Sequence, residues 1–361
     1  MKRGKIGLKF FAAFFLAILY VVVFPLAAGK ELFLTPDWTR DLEVAQLSRG
    51  AAGGNVSPFR LSGYIGYIDE QGRLLFREEI AYDAALGPDF FVNYPAVPLN
   101  LIIRNQKGEF IGNIGESGYP FVCGGKLYIL SPDGYGLARV DMRGDILWKR
   151  NFTSLITVAD MGDNSMVLGF LNGAFTVLGE DGSVKHEVPA ERGNLAAALQ
   201  AGIADDALYF TCLSGGSPQR LRLFVKQETG YAPLFETPLQ SSYRRAVVAR
   251  YFSEPDHFVF EQPGGAMVFQ VENENRLFAL KLPGQLVALA DERPEGLLIT
   301  LSSAGLRMYC EGFLPNGSRV FGFSYNASPA GRDAPYCLGA GKGSFLLGEG
   351  SRLYHIKLGA S

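Results

Sequence analysis

The stretch LARVDMRGDILW, residues 137–148, decides the fold of this chain. An apolar strand is followed by a polar turn that closes on Gly144, and the next strand carries Trp148 four residues later. Asp and Gly favour such hairpin turns because they tolerate a positive φ angle or hydrogen-bond to their own backbone. The stretch therefore predicts a β-hairpin with an aromatic side chain at a fixed position after the turn.

This pattern recurs along the chain. The other copies are YIGYIDEQGRLLF, NLIIRNQKGEFIG, AFTVLGEDGSVKH and LRLFVKQETGYAPLF, with two weaker ones, MVFQVENENRLFAL and MYCEGFLPNGSRVF. The seven turns follow one another in steps of 36, 36, 38, 48, 45 and 42 residues, at Gly72, Gly108, Gly144, Gly182, Gly230, Asn275 and Gly317. Short apolar runs between the turns bring each period to about four strands, which is typical of a β-propeller blade.

The number of copies predicts an all-β, seven-bladed β-propeller over residues 60–358. Only one clear strand precedes Gly72, and the chain continues after Gly317 to GKGSFLLGEGSRLYHIKL, which offers two strands and no further turn. We expect these two incomplete units to join into one closing blade, because closure removes exposed sheet edges. Six complete blades and this shared blade make seven, and eight blades are the alternative if residues 30–60 supply further strands. Residues 30–59 are then expected to form a linker.

Residues 141–148, DMRGDILW, resemble the outer hairpin of quinoprotein-type (PQQ-like) repeats of the broader WD40-like β-propeller superfamily, in which a D-x-x-G turn precedes a Trp. Residues 69–72 match the turn, with Phe76 in the aromatic position. The remaining copies depart from the pattern there, with Phe321, His186, Gly112 or Ala279. The resemblance covers most of residues 60–358 and implies the fold. It also implies a layout similar to that of exported propellers that act as assembly scaffolds in the cell envelope.

The N-terminal residues predict export. Residues 1–9 carry basic and no acidic side chains, and residues 10–29, FFAAFFLAILYVVVFPLAAG, are uncharged. A helix of this length spans a hydrocarbon core of about 30 Å, and basic residues before it keep the N-terminus in the cytoplasm. We therefore expect a single-pass signal anchor with the propeller in the periplasm or outside the cell. The alternative is a signal peptide cleaved near Gly29, since Ala27 and Gly29 supply small side chains.

Composition and motifs argue against several functions. With 34 Lys and Arg against 36 Asp and Glu, the net charge of −2 does not favour nucleic-acid binding. His186, His257 and His355 lack metal-ligand spacing, and GAGKGS at 339–344 lacks the order of a phosphate loop and precedes a strand. The quinone-dependent dehydrogenases of the resembling family use several tryptophans, whereas this chain has 2. We therefore predict no cofactor, no metal ion and no catalytic residue.

Four cysteines, Cys123, Cys212, Cys310 and Cys337, each lie in or beside an apolar run. This placement is typical of buried thiols that act as small apolar side chains. In an exported protein one or two disulfide bonds remain an alternative, and four cysteines allow three pairings.

The candidate interaction surface lies in SSYRRAVVARY, residues 241–251, which departs from the repeat. Its members are Tyr243, Arg244, Arg245, Arg250 and Tyr251. Arg and Tyr are enriched at interface hot spots, and the loops on the two faces of a propeller vary without disturbing its strands. We therefore predict a non-catalytic scaffold that binds a protein of the cell envelope. The alternative is an enzyme or a ligand sensor with a site in the central channel.

Overall fold

The computed structural model describes residues 32–360 apart from 49–53, 191–195, 240, 242, 253–255, 272–275, 293–296, 327–335 and 342. The predicted signal anchor at residues 10–29 lies outside this part of the chain. Among the described residues no helix is long and apolar enough to cross a membrane. The described chain is folded almost entirely into antiparallel β-strands, as expected.

The first strand, β1 (Leu32–Asp41), belongs to the last sheet, and the next strands form sheets in chain order. We call each sheet a blade. Blade 1 contains β2 (Val56–Leu61), β3 (Tyr64–Asp69) and β4 (Leu74–Glu79). Blade 2 contains β5 (Asp83–Leu86), β6 (Phe90–Tyr94), β7 (Leu101–Asn105) and β8 (Phe110–Ile114). Blade 3 contains β9 (Tyr119–Cys123), β10 (Lys126–Leu130), β11 (Gly136–Val140) and β12 (Ile146–Asn151).

Blade 4 contains β13 (Ile156–Met161), β14 (Ser165–Phe170), β15 (Phe175–Gly179) and β16 (Val184–Val188). Blade 5 contains β17 (Ala198–Ile203), β18 (Tyr209–Ser214), β19 (Gln219–Gln227) and β20 (Gly230–Leu239). Blade 6 contains β21 (Ala249–Phe252), β22 (His257–Gln262), β23 (Gly265–Gln270) and β24 (Arg276–Lys281). Blade 7 contains β25 (Gln285–Glu292), β26 (Leu297–Ala304), β27 (Arg307–Phe313) and β28 (Arg319–Asn326). Blade 8 contains β29 (Tyr336–Gly341), β30 (Ser344–Glu349) and β31 (Arg352–Ala360), with β1 at its outer edge.

The innermost strands close a ring of eight blades. From β5 to β29, the first strand of each blade contacts the first strand of the next, and β2 contacts both β29 and β5. The prediction of seven blades is therefore wrong. The two incomplete units that were expected to merge belong to neighbouring blades, because β1 completes blade 8 and leaves blade 1 as a sheet of its own.

The expected linker at residues 30–59 instead supplies the strand that closes the ring. β1 pairs antiparallel with β31 from Leu32 opposite Ala360 to Asp41 opposite Arg352, with a bulge between Pro36 and Trp38. Sealing a blade with one strand from the N-terminal end and three from the C-terminal end joins the ends of the chain and covers a sheet edge. The ring thus closes through backbone pairing.

Strand order places the turns on two faces. We letter the strands of a four-stranded blade A to D from the channel outwards, so that β1 is strand D of blade 8. The A–B and C–D turns lie on one side, the turn face. The B–C turns and the links between blades lie on the other side, the loop face.

Blade 1 has no strand A in the described residues. The turn at residues 69–73 has the same backbone hydrogen bonds as the C–D turns at 105–109 and 141–145, so β2, β3 and β4 correspond to strands B, C and D. β2 is therefore the innermost strand of blade 1. Pro58 lies within β2, and proline is tolerated on a strand edge whose N–H groups have no ladder partner.

The apolar core lies between neighbouring blades, and the repeat supplies a specific contact at several junctions. One cluster combines Leu213 and Leu223 of blade 5 with Phe258 and Phe269 of blade 6. Farther out, an aromatic side chain of strand D lies against the glycine of the next C–D turn at these junctions. Trp148 covers Gly182, Phe76 covers Gly108 and Phe278 covers Gly317, so that a Cβ at each glycine would fall within 2.3–2.8 Å of the ring.

Cys123, Cys212 and Cys310 are free thiols, and the latter two are buried, as the sequence predicts. The side chain of Cys337 lies outside the described residues.

Candidate functional site

The structure divides the predicted surface between two places. Tyr243, Arg244 and Arg245 lie in the link between β20 and β21, on the loop face. Arg250 and Tyr251 lie on β21, the innermost strand of blade 6, where they form part of the channel wall. Three of the five residues therefore lie in a loop, and the other two lie on the strand that follows it.

Arg245 holds its own link in place. Its guanidinium forms two hydrogen bonds with the buried Glu261 carboxylate, Nη2 to Oε1 at 2.6 Å and Nη1 to Oε2 at 3.0 Å. The ring of Tyr243 packs against the guanidinium at 4.7 Å, and the backbone N–H of Val248 also donates to Glu261. The hydrogen bond that Arg245 donates to Glu261 raises the pKa of Arg245 above its ordinary value. Arg245 and Tyr243 thus stabilise the link, and both Arg244 and Arg245 are exposed on this face.

Arg250 belongs to a polar group in the channel wall that joins blades 4 to 7. Its Nη1 donates to the carbonyl of Leu289 at 3.3 Å, and its charge acts on Asp160 of β13. Asp160 accepts a hydrogen bond from the backbone N–H of Ile203 at 2.9 Å. Burial is the largest influence on Asp160 and raises its pKa, whereas the N–H of Ile203 and the charge of Arg250 oppose this shift.

Tyr251 donates its hydroxyl hydrogen bond to Asp256 of the same blade. Burial and the neighbouring Asp256 raise the pKa of Tyr251, so the hydroxyl keeps its proton at neutral pH. Within the part of the chain that the structure describes, no three His, Cys, Asp or Glu side chains form a group that could hold a metal ion. The channel group can therefore offer hydrogen bonds and paired charges to a polar molecule.

A second feature of the loop face was not singled out by the sequence. The B–C turns of three consecutive blades expose large apolar side chains, which we call the apolar arc: Val97 and Leu99 of blade 2, Tyr135 of blade 3 and Leu171 of blade 4. Val97 is 68% exposed, and Tyr82 on the link into blade 2 is also exposed. Large exposed apolar patches on a folded domain mark interaction sites.

Backbone hydrogen bonds fix the positions of the arc. The link between blades 3 and 4 lies between two of its members, because Tyr135 accepts from Phe152 N at 2.8 Å and Leu171 donates to Leu155 O at 2.8 Å. In blade 2, Tyr82 N donates to Tyr94 O, at the base of the turn that carries Val97 and Leu99. The arc is thus presented by turns that are already ordered.

Two depressions flank the arc. One, of about 270 Å³, is lined by Leu99 together with Tyr94, Ile102 and Arg104. The other, of about 420 Å³, is lined by Phe152, Ser154, Phe170, Asn172 and Pro189, beside Leu171. Apolar projections next to shallow depressions give a partner both side chains to cover and places to insert its own.

One sequence signal could have indicated the arc. The segment YPAVPLN, residues 94–100, joins strands B and C of blade 2. It carries Val97 and Leu99 on either side of Pro98, where a turn would ordinarily have polar residues. Aliphatic side chains in a connection between strands do not contribute to the core of the blade. Their exposure therefore suggests a binding role. The sequence does not show which connections lie on the same face of the ring, so it does not predict the arc as a whole.

A ring of antiparallel blades without a helix in its described part defines a β-propeller. The chain belongs to the family described as beta-propeller protein, whose model matches residues 1–328. A curated relative, an uncharacterized protein of Treponema pallidum (strain Nichols), is 23% identical over 312 residues, which cover 84% of this chain and 81% of the relative.

Two solved structures show the same fold. BamB from Moraxella catarrhalis superposes with a TM-score of 0.56 and 11% identity, over 90% of this chain and 100% of BamB. The computationally designed Ika8 protein superposes with a TM-score of 0.60 and 13% identity, over 85% of this chain and 94% of Ika8. At these identities the likeness concerns the fold alone.

Proposed function

We propose that this propeller is a non-catalytic scaffold that binds a protein partner through the apolar arc. The observation that supports this proposal is the exposure of apolar side chains on the B–C turns of three consecutive blades, which lie on the loop face. Burying one aliphatic side chain of this kind contributes about 1.5–3 kcal/mol. The turns are already held by backbone hydrogen bonds, so little conformational entropy is lost on binding.

The experiment uses in-cell cross-linking and purification of the tagged full-length chain from its source organism. The variant Val97→Asp with Leu99→Asp should reduce recovery of one partner protein at least tenfold. The control is Leu306→Asp, because Leu306 is equally exposed at 68% on the loop face of blade 7, away from the arc. Equal recovery with all three forms would contradict the proposal.

Arg244 provides a separate arm of this experiment. It is an exposed cation of the predicted surface on the loop face, between blades 5 and 6, next to Arg245, which is paired with Glu261. If the partner also covers this side of the ring, Arg244→Glu should lower recovery while the free energy of unfolding stays constant. Loss with the Arg244 variant but not with the arc variant would place the binding surface at the predicted loop instead.

We also propose that the propeller works outside the cytoplasm as part of the cell envelope. This proposal rests on the basic residues 1–9 and the uncharged residues 10–29. Fractionation with mass spectrometry of the mature N-terminus tests it. An intact N-terminus in the membrane fraction supports the anchor, and a mature end near Lys30 supports cleavage. A soluble cytoplasmic pool would overturn both forms.

A second candidate function is the binding of a small polar ligand in the channel. The observation that favours it is the interaction of Asp160 of blade 4 with the charge of Arg250 of blade 6, which brings opposite charges of different blades together. A thermal-shift screen of polar metabolites with the purified chain tests this function. A ligand that stabilises the native chain but not Arg250→Gln supports it, and no shift with any compound contradicts it.

A further inference from the structure

The four outer strands of blades 1 to 4 share one register, which makes their residues directly comparable. In each, the second residue after the turn glycine pairs with the residue four before that glycine. The pairs are Leu74 with Ile68, Phe110 with Arg104, Ile146 with Val140, and Val184 with Leu178. Every pair adjoins a bulge, so the backbone at these four positions has the same orientation.

In blade 1 this position is covered by another segment of the chain. Leu74 is only 2% exposed and lies in a cluster with Leu42, against which Ala45 also packs. The backbone N–H of Ser48 donates to the carbonyl of Leu74 at 2.7 Å. Residues 42–48 therefore cover an apolar side chain and bond to the outward-facing carbonyl of strand D.

In blades 2 to 4 the equivalent side chains are also apolar, yet they are exposed. Phe110 is 67% exposed, and Ile146 and Val184 are exposed as well, as is Leu147 beside Ile146. We call these four residues the rim patch. Because the register is shared, the carbonyls of Phe110, Ile146 and Val184 point out of their blades as that of Leu74 does. Blades 2 to 4 thus each present an exposed apolar side chain and an outward-facing carbonyl. In blade 1 the same two groups of Leu74 are covered by residues 42–48.

We infer that the rim patch is a second contact surface, which takes aliphatic segments of a partner protein in the way that blade 1 takes residues 42–48. Each segment places small or branched aliphatic side chains over Phe110, Ile146 or Val184. It also donates a backbone N–H to the carbonyl at that position. The proposal does not rest on the apolar arc, because the arc lies on the loop face and the rim patch lies beside the C–D turns.

The outer strands also limit what can bind there. Lys149 and Lys185 follow the rim residues on β12 and β16 and are exposed. Exposed lysines on an edge strand disfavour the addition of a long β-strand from another chain. The rim patch therefore suits short contacts of one hydrogen bond and a few aliphatic side chains, as observed for residues 42–48 on blade 1.

The test places the photo-cross-linker benzoylphenylalanine at position 110, 146 or 184 of the full chain in living cells, with mapping of the linked peptides by mass spectrometry. The control position is Leu234, which is exposed on the outer strand of blade 5. We expect links from all three rim positions to aliphatic-rich segments of one partner protein and no such links from position 234. Ile146→Asp should reduce linking from position 110 at least tenfold.

Several results would overturn this inference. They are links to a second copy of this chain, links to lipid, links scattered over unrelated proteins, and linking at position 110 that Ile146→Asp leaves unchanged. The arc variant with Val97→Asp and Leu99→Asp separates the two proposals. Rim links that persist in that variant support the rim patch even if the arc has no partner. Circular dichroism and thermal unfolding of each variant confirm that the ring is intact.

Discussion

The indole of Trp38 lies against Gly72, so that a Cβ at Gly72 would be 2.6 Å from Cδ2 of Trp38. The indole Nε1 donates to the carbonyl of Glu70 at 2.8 Å, and His355 stacks on the ring at 5.2 Å. Trp38 belongs to β1 of blade 8, and Gly72 belongs to the C–D turn of blade 1. This contact therefore joins the closing blade to the first blade.

Trp38→Ala is expected to lower the free energy of unfolding by about 2–3 kcal/mol, because it removes a half-buried ring and a hydrogen bond at the closure. Hydrogen exchange of the β1 amides should also become faster, since the strand loses its contact with blade 1. Trp148→Ala is the matched control, because Trp148 makes the same contact with Gly182 and Glu180. Unchanged protection of β1 in Trp38→Ala would contradict the role of Trp38 at the closure.

The sequence contained the signal for the eighth blade. Trp148 precedes Gly182 by 182 − 148 = 34 residues, and Trp38 precedes Gly72 by 72 − 38 = 34 residues. The second interval places Trp38 on an outer strand, although no turn of the repeat precedes it. The repeat thus predicts the strands and turns, whereas the blade count depends on which strands pair across the chain ends, and local patterns do not encode that pairing.

Arg245→Ala should lower the free energy of unfolding by about 2–3 kcal/mol, because it leaves the buried Glu261 carboxylate without its partner. Arg244→Ala should change it by less than about 0.5 kcal/mol, since Arg244 is exposed. Urea unfolding of the two variants measures both effects. Adding Glu261→Gln to Arg245→Ala should recover part of the loss, and equal effects of the two single variants would contradict the assignment.

The sequence could identify Arg and Tyr between residues 241 and 251, but it could not assign their partners. Glu261 lies 16 positions after Arg245 and becomes its partner only through the pairing of β21 with β22. Arg250 and Tyr251 enter the channel wall for the same reason, since they lie on an inner strand. The apolar arc likewise depends on turns separated by about 40 residues in the chain and brought to one face by the ring.

Asp160 predicts a pH dependence of stability. Burial raises its pKa in the native state above the unfolded value, so the native state holds this proton more tightly. The contribution of Asp160 to stability is therefore complete below about pH 4 and is lost as the pH rises through the raised pKa. Asp160→Asn keeps an acceptor for Ile203 N and removes the titration. In urea unfolding, the free energy of unfolding of Asp160→Asn minus that of the native chain should increase with pH. A difference that does not change with pH would contradict the raised pKa of Asp160.

The thiols of Cys123, Cys212 and Cys310 should react slowly. Burial raises the pKa of Cys123 to about 12, with a further contribution from Asp160, and burial raises that of Cys310 to about 12. Iodoacetamide at pH 8 should therefore modify Cys123, Cys212 and Cys310 at least tenfold more slowly in the native chain than in denaturant without reductant. Peptide mapping gives the extent at each position. A thiol that stays blocked in denaturant would indicate a disulfide bond instead.

Carbene footprinting of the apolar arc tests the proposed function most directly. The full chain is labelled in intact cells and again after purification, and the modification of Val97, Leu99, Tyr135 and Leu171 is compared with that of Leu306. If a partner covers the arc, these four residues are labelled several-fold less in cells than in the purified chain, while Leu306 is labelled equally in both. Equal labelling of the arc in both states would contradict the account.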